Sequence, residues 1–332
     1  MNSKSRLATA ASVAGNGLEW YDFAVYGFMA PFLADVFFPS ANPTNALIAS
    51  FGAFAAGYLM RPIGGLFFGH FGDKLGRKKM LVLSVQLMAI PTFLVGCLPS
   101  YASVGILAPI LLVLMRMLQG LSVGGELPGS VVYQVESAPA GKRGLAGSWV
   151  NVGSMTGVLA GSATAALLTN LLTPDQMAAW GWRIPFLMGV VIGIVAAYLR
   201  RHLPETESFE QLRTEGRLPE SPVREALATQ GREMTLVALF VLGFGVLYYQ
   251  AFVYLPTYLS RVVQMPESRS LEFNTLAMFL TTLLIPLVGA LSDRIGRRNL
   301  LIGGFLAIAA FGLPVFSALE QGTTLSVLGA EI

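Results

Sequence analysis

"GHFGDKLGRKKML", residues 69–81, and "GALSDRIGRRNLL", residues 289–301, write one charged turn twice, 220 positions apart, each between long apolar runs. The first packs five charges into the seven positions from Asp73 to Lys79. Each copy sets an aspartate four residues before an arginine, Asp73 before Arg77 and Asp293 before Arg297, with Gly76 or Gly296 directly ahead of the arginine. The fold follows from what lies between the two copies.

The 332 residues are 54% hydrophobic and only 12% charged, about half the charge of an ordinary soluble domain. The charges cluster in short stretches between apolar runs, several of which reach the roughly 20 residues a helix needs to cross the hydrocarbon core. Nine full spans are expected, at about 13–38, 46–71, 80–99, 103–132, 145–172, 182–200, 234–260, 273–292 and 299–317, with a tenth starting near Thr324. The chain therefore reads as all-α and polytopic. A polar segment over 201–232 separates a six-span half, residues 1–200, from a shorter second part, 233–332.

Seventeen of the 22 lysines and arginines fall in loops on the N-terminal side, Arg200 and Arg201 among them; Arg61 and Arg116 fall within spans. Basic loops stay in the cytoplasm, so the N-terminus and both charged turns are expected there. The short basic start, "MNSKSRLATAAS", runs straight into an apolar span with no small-residue cleavage site, so the first helix is expected to be retained. The lone cysteine, Cys97, can form no internal disulfide. Glycine-rich phosphate loops with their lysine are absent, which argues against an ATP-driven pump. The two histidines and the one cysteine lie far apart in sequence, so no metal cluster is expected, and nothing suggests nucleic-acid binding.

The first charged turn joins spans two and three, the second spans eight and nine. A repeat offset by six spans that keeps its sidedness means two homologous halves in parallel orientation. With "GNGLEWYDFAVYGF" in span one, "RMLQGLSVGGE" in span four and "WGWRIPF" at the start of span six, the paired turns resemble the metabolite:proton symporter family of the major facilitator superfamily. The resemblance covers the whole chain. It implies two pseudo-symmetric helical halves, a substrate site between them, no enzymatic activity, no cofactor beyond the proton as coupling ion, and a small carboxylate-bearing or zwitterionic metabolite as substrate. It also implies twelve spans, so a chain stopping in the tenth is expected to have an incomplete second half. The leading reading is proton-coupled symport by a monomer in the lipid bilayer. The alternatives are a uniporter or antiporter of the same superfamily, and a truncated non-transporting remnant or sensor.

Ionisable groups inside the bilayer are costly and mark functional candidates. Those within spans are Glu19, Asp22, Arg61, Arg116 and Glu126. Three acids against two bases leave one carboxylate over, a natural proton carrier, so Glu19, Asp22 and Glu126 are the candidates for proton coupling. Glu19 and Asp22 share one helix face at i, i+3; the competing reading has Glu19 hydrated and only anchoring its helix. Arg116, Gln119 and Glu126 project within an arc of about 80° over roughly 15 Å of rise, a polar stripe on an apolar helix. Arg61, Arg116 and Gln119 are candidates for substrate binding, Arg61 able instead to neutralise Glu19 or Asp22, and Arg116 able to be an internal ion pair. Tyr249 and Gln250 in span seven are weaker candidates. The charged turns read as a cytoplasmic gate built from Gly72, Asp73, Arg77, Glu136, Arg143, Asp293 and Arg297. Glycines at four-residue steps in spans four and five (Gly120, Gly124 or Gly125, Gly129; Gly153, Gly157, Gly161) are expected to form sliding surfaces between helices.

Overall fold

The computed structural model describes residues 3–255, 258–259 and 262–319, with side chains from Arg6 onward except a few in the second part of the chain. The expected spans fall on helices over their described residues, the fourth across α4 and α5; part of the seventh and all of the expected tenth lie outside the described residues. In order, the first are α1 (Ser3–Phe37), α2 (Pro43–Leu75), α3 (Arg77–Cys97), the short α4 (Tyr101–Val104), α5 (Leu107–Glu136) and α6 (Arg143–Leu171). The short α7 (Pro174–Gln176) and a π-helical turn, Met177–Gly181, lead to α8 (Arg183–Arg201). Two further short helices follow, α9 (Glu207–Thr214) and α10 (Pro222–Thr229), and then α11 (Gly231–Tyr249) with a second π-helical turn, Gln250–Tyr254. The last are α12 (Glu267–Ile295) and α13 (Arg297–Leu319).

Among the described residues seven helices are long and apolar enough to cross a membrane, and α1, at 35 residues, is long enough but carries Glu19, Asp22 and Asp35. Prolines at positions 31, 62, 91 and 128 sit inside α1, α2, α3 and α5, as neighbouring helices in a membrane allow. Local signals set the helix ends. Asn42 accepts a hydrogen bond from the Thr44 amide at 2.9 Å while Pro43 occupies the first helical position of α2.

The chain divides into two compact units, Met1–Val223 and Arg224–Ile332. In the first unit α1 packs most closely on α6, α2 on α5, and α3 on α8. The glycine steps serve these pairs. A Cβ on Gly120 would lie 1.8 Å from the Gly57 carbonyl oxygen, and one on Gly157 2.3 Å from that of Gly17. These glycines form two tight helix pairs inside one unit, where only backbone can meet backbone.

α1 passes through three apolar layers: Ala8 and Ala11 with Leu81 and Tyr133; Leu18 and Phe23 with Val85, Met88 and Val123; then Tyr26, Leu33 and Phe37 with Leu112, Trp182 and Phe186. "WGWRIPF" closes the far end. Trp182 is fully buried edge-on to Phe37 at 5.4 Å, and Arg183 donates to the Gly96 and Leu98 carbonyls at 3.0 and 2.6 Å, capping α3. The polar segment after α8 begins packed: Phe209 of α9 is buried, and α9 falls in the first unit.

In the second unit, α12, Gly296 and α13 repeat the helix–glycine–helix construction of α2, Gly76 and α3. Both glycines have positive φ, +105° at Gly76 and +87° at Gly296, a backbone region closed to most side chains. Each donates its amide to the carbonyl four residues earlier, Gly72 or Ser292.

Candidate functional site

The middle of the first unit holds two closed charge networks and one open pair. In the first network, Asp22 on α1 receives Arg116 Nη1 at 2.6 Å, Gln119 Nε2 at 2.8 Å and the Thr92 hydroxyl at 2.9 Å. Arg116 Nη1 also donates to Gln119 Oε1 at 2.7 Å, and its guanidinium stacks over Tyr26, 4.2 Å from the ring centroid. Asp22 is wholly buried, and Arg116 and Gln119 are 1% exposed. Three helices thus meet on one carboxylate: α1, α3 and α5.

The second network lies further towards the charged turn. Glu126 on α5 is held by both terminal nitrogens of Arg200 and by the Ser84 hydroxyl at 2.6 Å, with Ser130 donating at 3.2 Å. Arg200 also donates to the Leu81 carbonyl at 2.7 Å. This corrects two expectations. Arg200 is no loop residue: at 1% exposure it is as buried as Arg116. The surplus acid also disappears from the count, because Arg200 is a third base for the three acids. Nothing in the sequence separates Arg200 from its exposed neighbour Arg201; the signal that could have found it is the i+4 run of serine and glutamate on α5, which leaves Glu126 wanting a buried partner.

The open pair is Glu19 and Arg61. Glu19 is 2% exposed, which overturns the reading of a hydrated anchor, and its Oε2 has no hydrogen-bond partner among the described residues. Arg61 is half-buried, with its guanidinium 3.8 Å from the Tyr58 ring centroid and 4.5 Å from that of Phe23. Its Nε and Nη2 are buried without a partner among the described residues. Arg61 makes no direct ion pair with Glu19 or Asp22 among the described residues.

At the charged turn, Arg77 Nη2 meets Asp73 at 2.6 Å and Glu136 at 3.9 Å, joining three of the expected gate residues. Gly72 lies under this pair, a Cβ there falling 3.2 Å from Arg77 Nη1. Arg143 opens α6 and makes no ion pair among the described residues. In the second unit Arg297 meets Asp293 at 3.5 Å. Sequence reasoning missed Glu205, whose carboxylate accepts the Lys78 amide at 3.1 Å and seats an anion on the N-terminus of α3. Of the span-seven candidates, Gln250 is exposed in the second unit, and the side chain of Tyr249 lies outside the described residues.

The Major Facilitator Superfamily profile matches residues 13–330. The chain belongs to this superfamily. Within the superfamily it is 40% identical over 324 residues to the proline/betaine transporter of Salmonella typhimurium, covering 95% of this chain and 65% of that protein. It is 40% identical over 315 residues to the alpha-ketoglutarate permease of Escherichia coli, and 39% over 322 to the shikimate transporter of the same species. Those alignments cover 95% and 96% of this chain and 72% and 73% of the relatives. The resemblance read from the motifs holds. The chain spans just under two thirds of the length of the proline/betaine transporters it matches. Among solved structures, the proton:xylose symporter XylE bound to 6-bromo-6-deoxy-D-glucose superposes with a TM-score of 0.76 at 18% identity, over 99% of this chain and 78% of that one, which shows the major facilitator fold.

Proposed function

We propose that this major facilitator protein is a secondary active transporter that couples proton movement to uptake of a small carboxylate-bearing metabolite by alternating access. It works as a monomer in a bacterial inner membrane with its N-terminus in the cytoplasm, needing no cofactor beyond the coupling proton. The observation that carries the reading is the closed network of Asp22, Arg116, Gln119 and Thr92, buried in helices otherwise apolar. Ionisable groups at that depth cost free energy that packing alone does not require. Relatives named for proline, betaine, alpha-ketoglutarate and shikimate support a small substrate with a carboxylate.

In this scheme the proton-carrying groups come from Glu19, Asp22 and Glu126. Arg61, Arg116 and Gln119 serve the substrate from the first half, Tyr249 and Gln250 from the second. Asp73, Arg77 and Glu136, with Gly72 and Arg143 beside them, gate the cytoplasmic side together with Asp293 and Arg297. The test is uptake into proteoliposomes under an imposed pH gradient. Uptake of a carboxylate substrate should collapse with a protonophore, and Arg116→Leu should reduce it to background while the variant still inserts. Uptake indifferent to the protonophore would favour a uniporter or antiporter instead.

A further inference from the structure

We propose that Arg61 is a guanidinium shared in turn by Glu19 and the substrate carboxylate, and that this sharing links proton binding to substrate binding. The proposal rests on the transport reading above and adds how the two ligands are coupled.

The argument is one of available valences. Asp22 is held by Arg116, Gln119 and Thr92, and Glu126 by Arg200, Ser84 and Ser130. Arg116 and Arg200 each leave Nε buried without a partner among the described residues, whereas Arg61 leaves both Nε and Nη2 and Glu19 leaves Oε2. Arg61 is therefore the base with a buried terminal nitrogen unpartnered, and Glu19 the acid with an unpartnered oxygen. The charged groups that face Glu19 are Glu126 on α5, Arg61 on α2, Arg200 on α8 and Asp22 on α1. The charges of α3 and α6 sit in their first turns, at Arg77, Lys78, Lys79 and Arg143, so both present neutral side chains beside it. Arg200 is committed to Glu126 through both terminal nitrogens. Arg61 is then the facing base with a terminal nitrogen to spare, on a side chain that is only half-buried. The rings of Phe23 and Tyr58 hold the guanidinium plane in place, and its Nε and Nη2, unpartnered among the described residues, form the two-donor edge that a carboxylate accepts.

In a low-dielectric site one guanidinium offsets one negative charge. Without ligand, and at a pH high enough to ionise it, that charge is Glu19. When a substrate carboxylate docks on Arg61, two carboxylates share one cation, and a proton from solution adds to Glu19 to restore neutrality. Protonating Glu19 first frees Arg61, which is the same linkage written from the other end. On release at the far side the carboxylate leaves, Glu19 gives up its proton and Arg61 returns to it. One proton travels with each carboxylate.

The test uses the purified protein in weakly buffered detergent, with trimethylglycine, succinate and choline as probes. Ligand binding is read by thermal shift and proton uptake by a pH-sensitive dye. At least one carboxylate should bind, with about one proton taken up per ligand and an affinity falling on the order of tenfold per pH unit above the linked range. Choline, with the same ammonium and no carboxylate, should do neither. Glu19→Gln should bind the same carboxylate with pH-independent affinity and no proton uptake; Arg61→Gln should not bind it. Wild-type proton uptake in E19Q, or no binding of either carboxylate to the wild-type protein, overturns the proposal. Linked binding without gradient-driven uptake would sink only the transport reading, and pH-independent binding with such uptake only this one.

Discussion

Glu126 and Arg200 are a buried pair whose value depends on both members being present. Each is almost wholly enclosed, and the carboxylate is satisfied by the guanidinium together with Ser84 and Ser130. Removing one member strands the other as an uncompensated charge, at about 3–5 kcal/mol, whereas replacing both by apolar residues of similar size is often neutral or stabilising. Arg200→Leu should therefore lower the thermal unfolding midpoint in detergent strongly, and Arg200→Leu with Glu126→Leu should restore most of the loss. Gly15 presses on this pair so closely that a Cβ there would lie 1.8 Å from Arg200 Nη2, so the double variant must also fill that contact. A double variant as unstable as Arg200→Leu alone would mean that Arg200 acts through its bond to the Leu81 carbonyl and not through Glu126.

At the scale of helices and turns, the two copies of the charged turn share a backbone but not an environment. Gly76 has φ +105° and faces Glu205, whose Oε2 would lie 2.2 Å from an added Cβ. Gly296 has φ +87°, and an added Cβ there would meet nothing nearer than Asn299 Nδ2 at 3.9 Å. Alanine at either position incurs the cost of a strained backbone, of order 1–3 kcal/mol. At position 76 it also expels Glu205 from the N-terminus of α3. Gly76→Ala should thus destabilise the protein more than Gly296→Ala, and should alone speed tryptic cleavage at the exposed Arg213 and Arg217 as α9 undocks. Adding Glu205→Ala to Gly76→Ala should relieve the clash and leave the backbone strain. Equal losses from the two alanine variants would show that Glu205 contributes nothing to holding the turn.

Across the whole molecule, the features legible in the sequence are those carried by local periodicity. Apolar runs, charged turns and an i+4 Asp–Arg spacing each announce themselves within a dozen residues, and so the spans and the repeated turn were readable. What escaped reading depends on contacts far apart in the chain. Arg200 finds Glu126 across 74 positions and Glu205 finds Lys78 across 127, and a run such as Arg200–Arg201 at a helix end reads as loop charge until packing separates its members. The orientation of the whole rests on that same loop charge, which makes it worth a direct test. Cys97 is the lone cysteine, and it stands exposed at the opposite end of α3 from the charged turn. The 21 residues between those ends rise about 30 Å, one hydrocarbon thickness. Beside it Arg183 binds the last carbonyls of α3, a charge that belongs at the water boundary. A membrane-impermeant maleimide should label Cys97 in intact spheroplasts, while Lys78→Cys in a Cys97→Ser background should label only after the membrane is opened. Labelling in the reverse order would place the first charged turn outside the cell, against the basic-loop rule, and would remove it from the proposed cytoplasmic gate.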